Sequence, residues 1–256
     1  MKKILFLLLT FVISLDSKLY ARAEQIELNL LDGNKIKLWI NIYKAEKTPA
    51  PTIIVMHGCG GVSSDHHTWA QIIQSWGFNS VVLDSFSGVI SGDVCRKPSL
   101  SHAGSRGVQA YSLASWVENQ EWSQKKIGAI GFSHGGNSML AMSTKELRNN
   151  FPGNKIISTV AFYPFCEPFF QMAQTRQIPL QIHIGELDNW TPANPCKDTA
   201  NLWKLGENLF IYKDSHHHFD RVNANWTNGT WISKSNPEAR ELSIKRTKEF
   251  FEKTLK

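Results

Sequence analysis

From Pro51 onward, short apolar runs alternate with longer amphipathic ones, and this alternation narrows the fold more than any other feature of the chain. Thr52 to Met56 precedes Thr68 to Trp76, Ser80 to Leu83 precedes Gly107 to Glu118, and Ile127 to Gly131 precedes Asn137 to Leu147. Ile157 to Phe162 and Leu180 to Ile184 follow, then a helix-like stretch Ala193 to Leu205, the run Leu209 to Tyr212 and a charged helix Pro237 to Lys253. Strands buried on both faces read as continuous apolar runs, and parallel neighbours need a crossover that is usually a helix. The pattern therefore predicts an α/β fold, a mostly parallel sheet with helices on both faces. Ahead of it, Gln25 to Leu31 and Lys35 to Tyr43 alternate apolar and polar residues around Asp32-Gly33, which predicts an antiparallel hairpin turning at that pair. No repeat or long Gly/Ser/Pro linker interrupts residues 24 to 256, so they read as one domain.

The first residues stand apart from this pattern. Met1-Lys2-Lys3, the apolar run Ile4 to Leu15 and the exit Ala21-Arg22-Ala23 have the charged start, hydrophobic centre and A-x-A end of a secretory signal peptide, with cleavage expected after Ala23. The apolar run is too short to span a bilayer, so no membrane anchor is expected after cleavage. The whole chain has 28 basic and 22 acidic residues, a net +6. Without Lys2, Lys3, Lys18, Arg22 and Asp16 the counts are 24 and 21, and a net +3 on the remaining 233 residues points to no nucleic-acid partner.

The short Lys-Lys leader has a bacterial look, which places the mature chain in the periplasm or outside the cell. In such a compartment Cys59, Cys95, Cys166 and Cys196 can pair. Cys166 follows the strand ending at Phe162 and Cys196 follows the segment after Ile184, so adjacent parallel strands would bring them to one edge; Cys59 with Cys95 is the second expected pair. No C-x-x-C spacing occurs, and no metal is expected.

Chemistry is sought where such sheets carry it, at the C-terminal strand ends. Gly131-Phe132-Ser133-His134-Gly135-Gly136 follows an apolar strand and opens a helical segment. Small residues around Ser133 permit the tight strand-to-helix turn that lifts a nucleophilic hydroxyl clear of the backbone. A serine needs a base, and the base needs an orienting carboxylate. Asp188 lies just past the strand ending at Ile184, with Glu186 and Asp214 as rivals. Lys213-Asp214-Ser215-His216-His217-His218-Phe219-Asp220 supplies three consecutive histidines, of which one can face Ser133; His217 is the candidate base. The oxyanion of an acyl transfer would be held by the His134 amide and by one from His57-Gly58-Cys59-Gly60-Gly61, the Cys59 amide being the candidate.

Residues 51 to 220 resemble the dienelactone hydrolase family of α/β-hydrolases. The resemblance is carried by H-G-C-G-G, V-L-D-S-F, G-F-S-H-G-G, F-Y-P-F-C, G-E-L-D-N-W-T-P-A and H-H-H-F-D. It implies the α/β-hydrolase fold, Asp188 as the acid of the G-x-x-D-x-x-x-P segment, His217 as the base of H-x-F, and hydrolysis of an ester or lactone. The founding members carry cysteine at the elbow where this chain has Ser133, and their carboxylate-clamping arginines match neither Arg96 nor Arg106. The expectation is an exported, cofactor-free serine hydrolase of small carboxylic esters or lactones. Two rivals remain: a prolyl-oligopeptidase-type peptidase, and a periplasmic metal binder using His66, His67 and His216 to His218 on a non-catalytic scaffold. The aromatic group Phe162, Tyr163, Phe165, Phe169 and Phe170 is read equally as core or pocket lining.

Overall fold

The computed structural model describes residues 22–150, 156–167 and 177–256; the expected signal segment falls almost wholly outside them. Strands β1 (Arg22–Asn29) and β2 (Lys35–Tyr43) form an antiparallel hairpin in which Asn29 faces Lys35. The first two residues of β1 lie ahead of the expected cleavage point. The connection spans residues 30–34 instead of a two-residue turn. Asp32 Oδ1 accepts the Asn34 N–H at 3.0 Å, an Asx turn set inside a longer loop that Gly33 completes at φ 82°.

The alternating region then gives β3 (Ala50–Met56), α1 (Ser64–Ser75), β4 (Asn79–Asp84), α2 (Ala103–Val117), β5 (Ser123–Phe132) and α3 (His134–Met142). After α4 (Lys145–Asn149) come β6 (Ile156–Phe162), β7 (Leu180–Gly185), α5 (Ala193–Leu202) and β8 (Leu209–Tyr212). A small hairpin, β9 (Asn225–Asn228) with β10 (Trp231–Lys234), precedes the C-terminal helix α6 (Pro237–Leu255). The expected single helix Asn137 to Leu147 is two helices. The Ser143 and Thr144 hydroxyls turn back to the carbonyls of Met139 and Ala141, each at 2.8 Å, where they compete with the helical backbone pattern.

The main sheet has the order β1-β2-β4-β3-β5-β6-β7-β8, parallel from β4 through β8. Every residue of β3 is buried, as the uninterrupted apolar run required, and each large aliphatic side chain so enclosed contributes about 1.5–3 kcal/mol. The chain leaves β3 outward to β4 and then crosses back to β5 on the other side. This reversal opens a crevice at the C-terminal ends of β3 and β5, the place where open parallel sheets bind ligands. The loops starting at His57 and at Ser133 border it.

Candidate active site

Ser133 sits in the turn between β5 and α3 with φ 52° and ψ −115°, a torsion that costs a residue with a Cβ. The turn can close this tightly because of its glycines. A Cβ on Gly131 would strike the Gly135 carbonyl, and one on Gly135 would stand 2.5 Å from Met56 O and 2.6 Å from His57 O. The Ser133 turn is therefore pressed directly against the end of β3. Ser133 N–H donates to Phe162 O at 2.9 Å, which fixes the turn to β6 on its other side.

Ser133, His217 and Asp188 meet across 84 and 29 residues of chain. His217 Nδ1 lies 2.7 Å from Asp188 Oδ2, and its Nε2 lies 3.2 Å from Ser133 Oγ. With Nδ1–H donating to the carboxylate, Nε2 is left to accept the serine proton. Asp188 is buried and saturated. Its Oδ1 accepts the Trp190 and Thr191 N–H groups at 2.9 Å each, and its Oδ2 also lies 3.0 Å from the Thr191 hydroxyl. Thr191 Oγ1 is also 3.1 Å from Tyr163 O and 3.2 Å from His217 Nδ1, so this one hydroxyl braces acid, base and the end of β6.

The rival acids are elsewhere. Glu186 is exposed and accepts the Asp214 N–H at 3.2 Å, and Asp214 is exposed at φ 53°. The neighbouring histidines point away from Ser133. His216 Nδ1 donates to Leu187 O at 3.1 Å, and His218 shares a hydrogen bond of 2.8 Å with Ser233 Oγ on β10. His66 Nδ1 accepts the Ser63 N–H at 2.9 Å, at the start of α1, and His67 Nδ1 pairs with Tyr43 Oη at 2.7 Å. Each of these histidines is spoken for separately, and among the described residues no group of three or more His, Cys, Asp or Glu side chains converges on a metal-sized site.

The His134 amide is in the first turn of α3, where an α-helix leaves its N–H groups without an intrahelical acceptor and its dipole favours negative charge. Cys59 lies across the crevice in the loop after β3, bonded to Cys95 with Cα atoms 4.9 Å apart. Cys166 is bonded to Cys196 at the start of α5, joining the end of β6 to the helix that follows the Asp188 loop. Burial shifts the titration of several groups around the crevice. Burial, then the Arg106 charge, pushes His57 well below the usual histidine range and His134 down to about 4. Burial, with Arg221 next, takes His66 to about 3. Burial followed by the proximity of His217 pushes His218 well down, and burial raises Asp220, which accepts from Trp69 Nε1–H and Tyr163 O–H at 2.8 Å each.

Of the expected aromatic group, Phe162 and Tyr163 are fully buried, and the Tyr163 ring lies 4.4 Å from that of His217; Phe169 and Phe170 lie outside the described residues. The indole beside His217 comes from a segment with no such reading in the sequence. Trp190 is 4.9 Å from the His217 ring and stacks on Trp231 of β10 at 4.8 Å, while Trp226 of β9 lies 5.5 Å from His218. Thr191, Trp190 and Arg106 are the site neighbours that residue patterns missed. For Thr191 a signal existed: it stands three residues after the acid, the position from which a hydroxyl returns to a carboxylate in a tight loop.

A model of the dienelactone hydrolase family matches residues 40–255. A search of curated proteins finds no match. Solved structures with a similar fold include a dienelactone hydrolase-like promiscuous phosphotriesterase from metagenomic libraries, at TM-score 0.68 and 16% identity, over 93% of this chain and 100% of that one. Another is a dienelactone hydrolase from Anabaena variabilis, at TM-score 0.65 and 15% identity, over 92% of this chain and 99% of that one. A Pyrococcus furiosus esterase is similar at TM-score 0.65 and 16% identity, over 92% of this chain and 94% of the other. At such identities the likeness concerns the fold. Among the described residues no helix is long and apolar enough to cross a membrane.

Proposed function

The chain belongs to the dienelactone hydrolase family, and on that premise we propose that it is an exported serine hydrolase of small carboxylic esters or lactones. The observation that carries the proposal is the hydrogen-bonded series from Asp188 through His217 to Ser133, with spacings of 2.7 and 3.2 Å, at the crevice beyond β3 and β5. In the proposed reaction His217 Nε2 takes the Ser133 proton as Oγ attacks the ester carbonyl. The Cys59 and His134 amides receive the oxyanion, and each such donor is worth about 3 kcal/mol of barrier. His217 then protonates the departing alcohol. Water, deprotonated by the same nitrogen, attacks the acyl-serine, and the imidazolium returns that proton to Ser133 Oγ as the acid departs. Asp188 keeps Nδ1 protonated and stabilises the imidazolium formed at each proton transfer. No step calls on a cofactor or a metal.

The proposal extends to export: residues 1–23 are removed as a signal peptide, and residues 24–256 act as a single domain in an oxidising compartment, to which the Cys59–Cys95 and Cys166–Cys196 pairs are suited. The test of the chemistry is a fluorophosphonate probe with a short panel of p-nitrophenyl esters and lactones. The wild-type protein is expected to be labelled and to turn over at least one of these. Ser133→Ala is expected to lose labelling and to fall by about four or more orders of magnitude in turnover. A variant that keeps a tenth of the wild-type rate removes Ser133 from the mechanism.

A further inference from the structure

Arg106, on α2, is fully buried, yet no carboxylate reaches it among the described residues; Asp84 acts on it only through space. A cation taken out of water without a partner ion costs several kcal/mol, and an apolar side chain of similar volume would avoid that cost. What Arg106 does hold is specific. One terminal nitrogen, Nη2, donates to His57 O at 2.7 Å, and the other, Nη1, donates to His134 Nδ1 at 2.8 Å. The guanidinium lies 4.9 Å from the centre of the Phe86 ring. His134 Nε2–H donates in turn to Ser101 O at 3.0 Å, so the imidazole is pinned at both nitrogens. The two segments that Arg106 joins, the loop after β3 and the first residue of α3, are the two that present the Cys59 and His134 amides to the crevice.

The surrounding histidines add no charge of their own. His57 accepts the Ser85 N–H at its Nε2, at 3.1 Å, which leaves Nδ1–H to donate to Gly58 O at 2.6 Å; His57 and His134 are both held neutral. Burial draws Arg106 itself down to about 9, still protonated at neutral pH. The guanidinium is therefore a positive charge with no carboxylate in contact with it, lodged behind both oxyanion donors.

We propose that Arg106 is a positioning residue for oxyanion stabilisation, clamping the Cys59 and His134 amides at one spacing and adding its charge to the field at the developing alkoxide. The inference rests on the serine hydrolase reading above. It predicts an effect confined to the tetrahedral state, because the ester carbonyl of the ground state carries little charge.

The experiment compares wild type, Arg106→Lys and Arg106→Met, each checked for folding by circular dichroism. Steady-state kinetics on p-nitrophenyl acetate are measured alongside inhibition by a trifluoromethyl ketone, which forms a tetrahedral hemiketal oxyanion on the serine. In Arg106→Met, kcat is expected to fall about 100-fold with KM within threefold, and the inhibition constant to rise by the same factor as kcat/KM falls. Arg106→Lys keeps the charge and a single donor group, and is expected to recover about tenfold of that loss. If the methionine variant does not fold, the lysine variant is judged by the same criteria. A folded variant with wild-type kcat, a loss carried by KM alone, or a fall in kcat that the ketone does not follow would each overturn the proposal. Wild-type protein that neither turns over esters nor binds the ketone overturns the hydrolase reading instead, and the inference with it.

Discussion

The two sides of the crevice are made rigid by different means. On the nucleophile side, α3 is driven so close to the end of β3 that a Cβ on Gly135 has no room, and Arg106 straps the two segments from behind. On the acid side, the loop from Glu186 to Pro192 is held by side-chain hydrogen bonds: Thr191 to Asp188, and Asn189 to the β9–β10 hairpin through Thr230 O at 2.7 Å and Ile232 N at 3.0 Å. Each side also carries one disulfide, which closes 36 residues at the nucleophile side and 30 at the acid side. The contrast teaches that a backbone fixed by steric exclusion fails abruptly, whereas a polar network loses function in steps.

The largest effect expected tests whether the acid side has a single indispensable member. His217→Ala should lose about three to four orders of magnitude in kcat, while His216→Ala and His218→Ala keep a substantial share; a loss confined to either neighbour transfers the role to it. Next, Gly135→Ala should destabilise the fold by about 3 kcal/mol and remove most activity, since backbone and not a flexible side chain stands in the way. Its counterpart, Thr191→Val, should fold and lose only about tenfold in kcat, the order of one hydrogen bond to a charged group. Melting curves and kcat for this pair measure the contrast directly, and equal losses in the two would erase it.

The last expectation concerns pH-dependent stability, and it falls mostly on the nucleophile side. His66 and His134 are held at about 3 and about 4, against about 6.5 in an unfolded chain. Between those values the unfolded state binds protons that the folded state refuses. Stability is therefore complete above about pH 6.5 and is lost on acidification, by up to about 1.4 kcal/mol per pH unit for each such group. His57, His183 and His218, all pushed well down by burial, act in the same direction, and the raised Asp220 opposes them. Melting temperatures at pH 7, 5.5 and 4.5 should fall in that order, and His134→Gln should lessen the slope; an unchanged melting temperature across this range contradicts the reading.

The sheet was legible because β3, β6, β7 and the second half of β5 carry short, mostly apolar and almost wholly buried runs, and a run of that kind has few alternatives between two layers of helix. The positions of Ser133 and Asp188 at strand ends were legible for the same reason, since turn chemistry follows each run directly. The hairpin β9–β10 was not, because its four-residue strands are half exposed and gain their place from contacts with the Asp188 loop instead of from their own alternation. Arg106 was invisible in a different way. An arginine one position before Gly107 reads as a charged residue opening a helix, and nothing local says that the β3 loop and α3 will close over it.

The torsion at Ser133 bears on how such a chain drifts under mutation. Glycine adopts a positive φ without the penalty that a Cβ brings, a difference of about 1 kcal/mol or more. Substitutions chosen for thermal endurance alone would thus replace the one hydroxyl the crevice is arranged around. A stabilised descendant selected without a turnover assay could keep every strand of the sheet and arrive inert, so any engineering of this scaffold has to hold that position fixed by choice.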